Sequence, residues 1–240
     1  SDTADACYPV SAGKGGKLKE RIPFNDSWLY KPSFTSADPC GTTDTAEYSR
    51  VDLPHTNKIL PYNCFDEAEC QFISSYKKLF RVSKNWEGKT VLLEFEGVMA
   101  ACDVWCNGIH VGGHEGGFTP FQVDLTAAVR FGEENVLTVK VDSTERKDIP
   151  PFGNVVDYLT YGGIYREVWL TAADPVFLSR IFLDCPDPLE EEKTLHCSCE
   201  ITARQTCEST VTVTLFSPQG EKIGEQTETL SLGQGCGKYR

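Results

Sequence analysis

Val104-Trp105-Cys106-Asn107-Gly108-Ile109-His110-Val111-Gly112-Gly113 reads as a strand, a two-residue turn and a second strand. Both central residues of a type I′ turn need positive φ, and Asn-Gly adopts that pair of conformations at low cost. The run therefore predicts a β-hairpin, and the same patterning extends on either side of it. Upstream, Val91, Leu93 and Phe95 alternate with Thr90, Leu92 and Glu94. Downstream, Leu137, Val139 and Val141 alternate with Val136, Thr138 and Lys140, and later Val211, Val213 and Leu215 alternate with threonines. A period of two is that of strands buried on one face, as in antiparallel sheets packed into a sandwich. The best short helical candidate is Leu125 to Arg130, behind Asp124 as a cap. The expected fold class is all-β.

Glycine clusters punctuate these strands. Gly112, Gly113, Gly116 and Gly117 surround His114-Glu115, which implies unusual φ/ψ, a tight crossing or close approach to a neighbour. Gly162-Gly163, ahead of Ile164-Tyr165-Arg166, is a second such corner.

The 240 residues carry 23 basic and 35 acidic side chains, a formal net charge of −12. A field of that sign repels phosphate backbones and anionic lipid, so neither nucleic acid nor membrane is an expected partner. No apolar run reaches the ~20 residues that span a bilayer. The first ten residues hold no basic stretch and no apolar core, so no signal peptide is expected. Eleven cysteines, odd in number and irregular in spacing, do not suggest a disulfide framework or a zinc site. Cys102/Cys106 and Cys197/Cys199 lie an even number of residues apart in strand-like runs, where cysteine acts as a small hydrophobe. A reduced, cytoplasmic protein without a bound metal is the expectation.

A boundary falls near Ala173-Asp174-Pro175. The expected organisation is an N-terminal extension over 1–19, a first domain over 20–172 and a partial second domain over 173–240. Some 65 residues are too few for a ~100-residue, seven-strand immunoglobulin-like sandwich.

Four segments in order carry a resemblance. They are Phe24-Asn25-Asp26-Ser27-Trp28; Val51-Asp52-Leu53-Pro54-His55-Thr56-Asn57; the run from Phe95 to Thr126; and Asp157-Tyr158-Leu159-Thr160-Tyr161-Gly162-Gly163-Ile164-Tyr165-Arg166. Together they resemble the N-terminal jelly-roll, galactose-binding-like domain of glycoside hydrolase family two, the group of β-galactosidases, β-glucuronidases and β-mannosidases. The resemblance implies a jelly-roll β-sandwich followed by the start of an immunoglobulin-like β-sandwich. Leu53-Pro54-His55-Thr56-Asn57 and the Trp105–Gly108 turn lean toward β-galactosidase; the loop His114–Phe121 is also similar to the β-glucuronidase version. The implied function is the non-catalytic front of a β-glycosidase, acting on a β-linked sugar. A free-standing carbohydrate-binding module, or the front of a β-glucuronidase or β-mannosidase, is the alternative.

By the same resemblance Asp157 reaches the active site, contacts substrate and, in some members, stands beside a monovalent cation. Its own setting, among Tyr158, Tyr161 and two glycines, suits a sugar, since a carboxylate accepts paired hydroxyls while a ring covers the apolar sugar face. The plainer reading is a loop aspartate capping Tyr161 or a backbone N–H. Asn57 matches an asparagine that lines the pocket mouth, against a plain turn former ahead of Pro61. His55 is expected to strap that loop, and Arg166 to anchor the loop carrying Asp157. His114 and Glu115 read as a buried structural crossing rather than an acid/base pair. Trp105 and Trp169, within strands, read as core. Retaining hydrolysis needs two carboxylates ~5–5.5 Å apart. In this family both sit on a (β/α)₈ barrel, and no strand–helix alternation occurs here. No catalytic residue is therefore expected in the chain, and the barrel of the same polypeptide is its expected partner. Self-association is left open.

Overall fold

The computed structural model describes residues 20–63, 66–151 and 158–239. The chain divides into two compact units, Ser1–Ala173 and Asp174–Arg240.

The first unit holds ten strands: β1 (Glu20–Pro23), β2 (Trp28–Lys31), β3 (Ser49–Val51), β4 (Ile73–Arg81), β5 (Thr90–Phe95), β6 (Ala101–Cys106), β7 (Ile109–Glu115), β8 (Phe121–Asp124), β9 (Glu134–Asp142) and β10 (Val168–Ala173). They form a six-stranded sheet ordered β3-β2-β4-β9-β6-β7 and a four-stranded sheet ordered β1-β10-β5-β8. Every strand pairing is antiparallel. The inward residues of the two sheets meet in one core, with Tyr76, Leu137, Val139 and Val104 from the first and Leu93, Phe95 and Leu170 from the second. This is the expected sandwich, and its patterning explains it: apolar side chains at every second position leave water only if two such faces are stacked.

Cys102 and Cys106 lie in that core with Val104, and burial pushes each thiol up to about 12. Trp28 and Trp86 are also core residues. Trp105 and Trp169 are not: both are half-buried on the outward positions of β6 and β10. Trp105 stacks on Phe34, while Trp169 lies under Arg21 and donates to Glu96 at 2.9 Å.

The hairpin β6–β7 turns at Asn107 (φ 52°) and Gly108 (φ 84°), both left-handed as the Asn-Gly pair predicts. Residues 125–130 do not form a helix. Ala128 and Val129 donate to the Leu125 carbonyl in a single turn, and Asp124 accepts from Thr126 as a cap would. The turn ends because the chain is taken up again by the sheets: Leu125 donates to Val91 and Gly132 to Val82. Among the described residues, helical structure is confined to two short 3-10 turns, Glu67–Cys70 and Lys84–Trp86. No helix among the described residues is long and apolar enough to cross a membrane.

The second unit has a sheet of β11 (Val176–Asp184), β12 (His196–Ala203) and β15 (Gly235–Tyr239), and a ribbon of β13 (Cys207–Phe216) and β14 (Lys222–Leu232). Its core is small: Cys199, Ile201, Ala203 and Leu232 are buried, with Val176, Cys207, Val211, Leu230 and Tyr239 packed against them. Leu183, Phe216 and Ile223 stay exposed.

Candidate functional site

The expected sugar site lies where the loop after β3 crosses the glycine corner ahead of β10. Three backbone hydrogen bonds tie the loop down: Leu53 to the Asn25 carbonyl at 2.9 Å, His55 to Ile164 at 2.8 Å and Asn57 to Gly162 at 2.8 Å. The corner must be glycine. At Gly162 a Cβ would stand 2.2 Å from Ser143 Oγ and 2.4 Å from Asn57 Nδ2. At Gly163, with φ 110°, it would stand 2.7 Å from the His55 carbonyl oxygen and 2.9 Å from the Asn57 nitrogen. Only a residue without a side chain lets the two segments approach so closely.

Asn57 is 5 % exposed. Its Nδ2 donates to the Cys70 carbonyl at 2.6 Å, and its carbonyl accepts from the Tyr30 hydroxyl at 2.6 Å. Its Oδ1 is buried without a hydrogen-bond partner. A buried amide oxygen left unpaired costs about 1–3 kcal/mol, so an orphan in a locked side chain marks either strain or a ligand's place. Neighbouring Lys58 is held in an ion pair with Glu69.

His55 packs against two core tyrosines. Its Nδ1 lies 2.8 Å from the Tyr76 hydroxyl, and its ring packs on Tyr30 with centroids 4.7 Å apart. Burial lowers its pKa and so favours the neutral ring, the form in which Nδ1 can accept the phenol proton. Burial also raises Tyr76, and pushes Tyr30 up to about 12 with a smaller contribution from Cys70, so both phenols stay protonated donors.

The remaining candidates stand apart from this cluster or outside the described residues. Asp157 lies outside them, and with it the expected cation position; the flanking Tyr158 and Tyr161 are exposed at 51 % and 42 %. Arg166 is exposed, its guanidinium 5.3 Å from the Tyr165 ring centroid. Tyr165 in turn donates to the Gly117 carbonyl at 2.6 Å. His114 and Glu115 are not the buried crossing that their glycines suggest. His114 is partly buried, stacked on Phe121 with its Nε2 2.8 Å from Thr119 Oγ1, and Glu115 is exposed in an ion pair with Arg146 at 2.9 Å. The glycines do mark close approach: a Cβ on Gly113 would stand 2.4 Å from the Cys102 carbonyl oxygen, and one on Gly117 2.4 Å from Met99 Sδ. Sequence reasoning passed over Tyr30, Tyr76 and Ser143, which hold the corner. Their residue types carry no signal; their partners are distant in sequence.

Comparison with known proteins gives the family. The profile described as "Glycosyl hydrolases family 2, sugar binding domain" matches residues 34–174. A β-galactosidase of Thermoanaerobacterium thermosulfurigenes is 43% identical over 75% of this chain and 25% of its own length. A β-glucuronidase of Bacteroides fragilis is 30% identical over 91% of this chain and 31% of its own length. A solved Bacteroides uniformis β-glucuronidase superposes with a TM-score of 0.79 at 25% identity, covering 92% of this chain and 27% of that one. The chain spans about a quarter of the length of the curated β-galactosidases it matches. On the family profile, the identities to its relatives and the sandwich, the chain belongs to the glycosyl hydrolases of family 2, whose sugar-binding domain it carries.

Proposed function

We propose that this chain supplies one wall of the sugar pocket of a β-glycosidase acting on terminal β-galactosides, and that Asn57 and Asp157 contact the sugar. The observation that carries the reading is the Asn57 side chain, fixed through Nδ2 and presenting an unpaired Oδ1. A sugar hydroxyl donates one hydrogen bond to such an acceptor and recovers its desolvation cost. Groups fixed in advance orient a substrate without losing rotamer entropy on binding, which is the part a non-catalytic wall plays.

The two reacting carboxylates belong, in this reading, to a barrel of the same polypeptide. Galactoside is favoured over glucuronide by the 43% and 41% identities to β-galactosidases. The state of Lys58 agrees: a glucuronide carboxylate needs a cation, and the one beside Asn57 is engaged by Glu69. The buried thiols of the core fit a reducing compartment, and we place the protein in the cytoplasm on that ground.

Titration of the 240-residue chain with methyl β-galactoside, methyl β-glucuronide and methyl β-mannoside, followed by amide NMR, tests the reading. Half a pocket should bind weakly, with a dissociation constant of about 1–10 mM. The galactoside is expected to move the Asn57 side-chain and Gly162 signals, and Asn57→Ala to abolish the shifts. Shifts that survive Asn57→Ala, or none at these signals for any of the three, sink it.

A further inference from the structure

The outward face of the six-stranded sheet carries a groove of about 380 Å³ that the proposed function does not use. Register explains where it forms. On β6 the even positions Cys102, Val104 and Cys106 enter the core, so Asp103 and Trp105 face outward. On β9 the odd positions Leu137, Val139 and Val141 enter the core, so Lys140 and Asp142 face outward, with Asp103 opposite Lys140 and Ala101 opposite Asp142. On β7, Gly113 lies opposite Asp103 and Glu115 opposite Ala101. The floor is made of small residues, Ala101 and Gly113, and the rim of long charged ones, which gives the surface its depth.

The rim is built rather than loose. Arg146 donates Nη2 to Asp148 at 2.6 Å and Nη1 approaches Glu115 at 2.9 Å. Across the groove Asp103 lies 3.4 Å from Lys140 Nζ through one oxygen and 3.3 Å from His110 Nε2 through the other. His110 meets the Trp105 ring edge-on at 5.2 Å, and Trp105 stacks on Phe34 at 5.8 Å. Trp105, partly buried against Phe34 and His110, therefore sits two residues along β6 from Asp103, about 7 Å away.

The charges decide what can bind. Both cations already hold carboxylates, so a phosphate, sulfate or uronate would have to displace one. Three carboxylates line the groove, but two are engaged by those cations and Asp142 Oδ1 accepts from Thr144 N and Oγ1 at 3.0 and 2.6 Å. That leaves poor ligands for a metal ion. What the rim offers is near-balanced, prepositioned donors and acceptors, which match the hydroxyls of a neutral sugar. The volume lies in the ~300–1,000 Å³ range of small-ligand sites.

We propose that this groove, between Asp103–Lys140 and Glu115–Arg146, is a saccharide-binding site in its own right, taking a neutral di- or oligosaccharide. It stands independently of the role proposed for Asn57. Such a site would hold a polymeric or branched substrate to the protein without taking part in its cleavage.

The test is an amide-NMR and tryptophan-fluorescence titration of the 240-residue chain with lactose, cellobiose and maltotriose. Calcium chloride and sodium sulfate serve as ionic probes. At least one neutral saccharide is expected to shift Asp103, Gly113, Glu115 and Trp105 signals, equally in Asn57→Ala. Asp103→Asn and Lys140→Ala, both at partly exposed, outward positions of the sheet, are each expected to weaken that binding about tenfold while far-UV circular dichroism is unchanged. No saccharide shift at these residues, response to calcium or sulfate alone, or binding insensitive to both substitutions overturns the proposal. Loss of the groove shifts in Asn57→Ala would also overturn it, by assigning them to the Asn57 corner.

Discussion

Tyr76 can donate its hydroxyl proton to Nδ1 of His55 only while the imidazole is neutral. Burial lowers the folded-state pKa of His55 below its ordinary 6.5, so the unfolded chain takes up the proton more readily. Stability from this group is intact above about pH 6.5 and falls as pH drops from there toward the folded pKa. Urea unfolding of the chain at pH 7.5 and pH 5 should show that loss, and His55→Gln, which keeps an acceptor near Tyr76, should show less of it. Equal losses would place the pH sensitivity elsewhere, for instance at His114, whose pKa is also lowered by burial. At this scale the sequence was legible where a motif names a residue, as with Asn57. It was silent on what distinguishes that residue: a buried Oδ1 without a hydrogen-bond partner.

The β6–β7 turn shows how far an element follows from local chemistry. Asn107 adopts φ 52°, and its side chain then does long-range work. It accepts from Val136 N at 2.9 Å and donates to the Ala128 carbonyl and to Asn135 Oδ1, both at 2.8 Å. Asn107→Ala loses the left-handed preference and leaves buried Asn135 short of a partner, so it should destabilise the first unit by about 2–3 kcal/mol. Chemical denaturation checks this, and a change under about 0.5 kcal/mol would mean that the turn is held by its strands alone. The turn type was readable because φ > 0 is a property of two adjacent residues. The segment Leu125–Arg130 was not, because Leu125, Ala128 and Val129 satisfy helical spacing for one turn whether or not the sheets reclaim the chain. Nor were Trp105 and Trp169: alternation says which positions share a face, but not that a large ring on the outer face is covered by Phe34 or Arg21.

Taken whole, the two units differ in how much core they own. The first buries Trp28, Tyr76, Phe95, Leu93 and Leu137 almost completely, while the second relies on Cys199, Ile201, Ala203 and Leu232. Regions with few buried apolar contacts open at lower free energy. Amides of β13 and β14 should therefore exchange with deuterium at least tenfold faster than those of β4 and β9 in mass-spectrometric hydrogen exchange. Equal protection would show that the second unit's exposed leucines and phenylalanines are covered in solution.

Sequence alone determined the fold class, the hairpin turn, the glycine corners and the family, since each is written in neighbouring residues: a period of two, a left-handed pair, a close-approach glycine, four motifs in order. Only the tertiary structure decided that Asn57 keeps a free acceptor, that His55 is buried beside Tyr76 and thereby favoured neutral, that His114 stacks on Phe121 rather than crossing a buried strand, and that Asp103, Lys140, Glu115 and Arg146 rim one groove. Those outcomes depend on which donors, rings and charges the stacking of the two sheets and the register of their strands bring within a few ångströms of one another, and most of the partners lie 20 to 75 residues apart, where they leave no local trace in the chain.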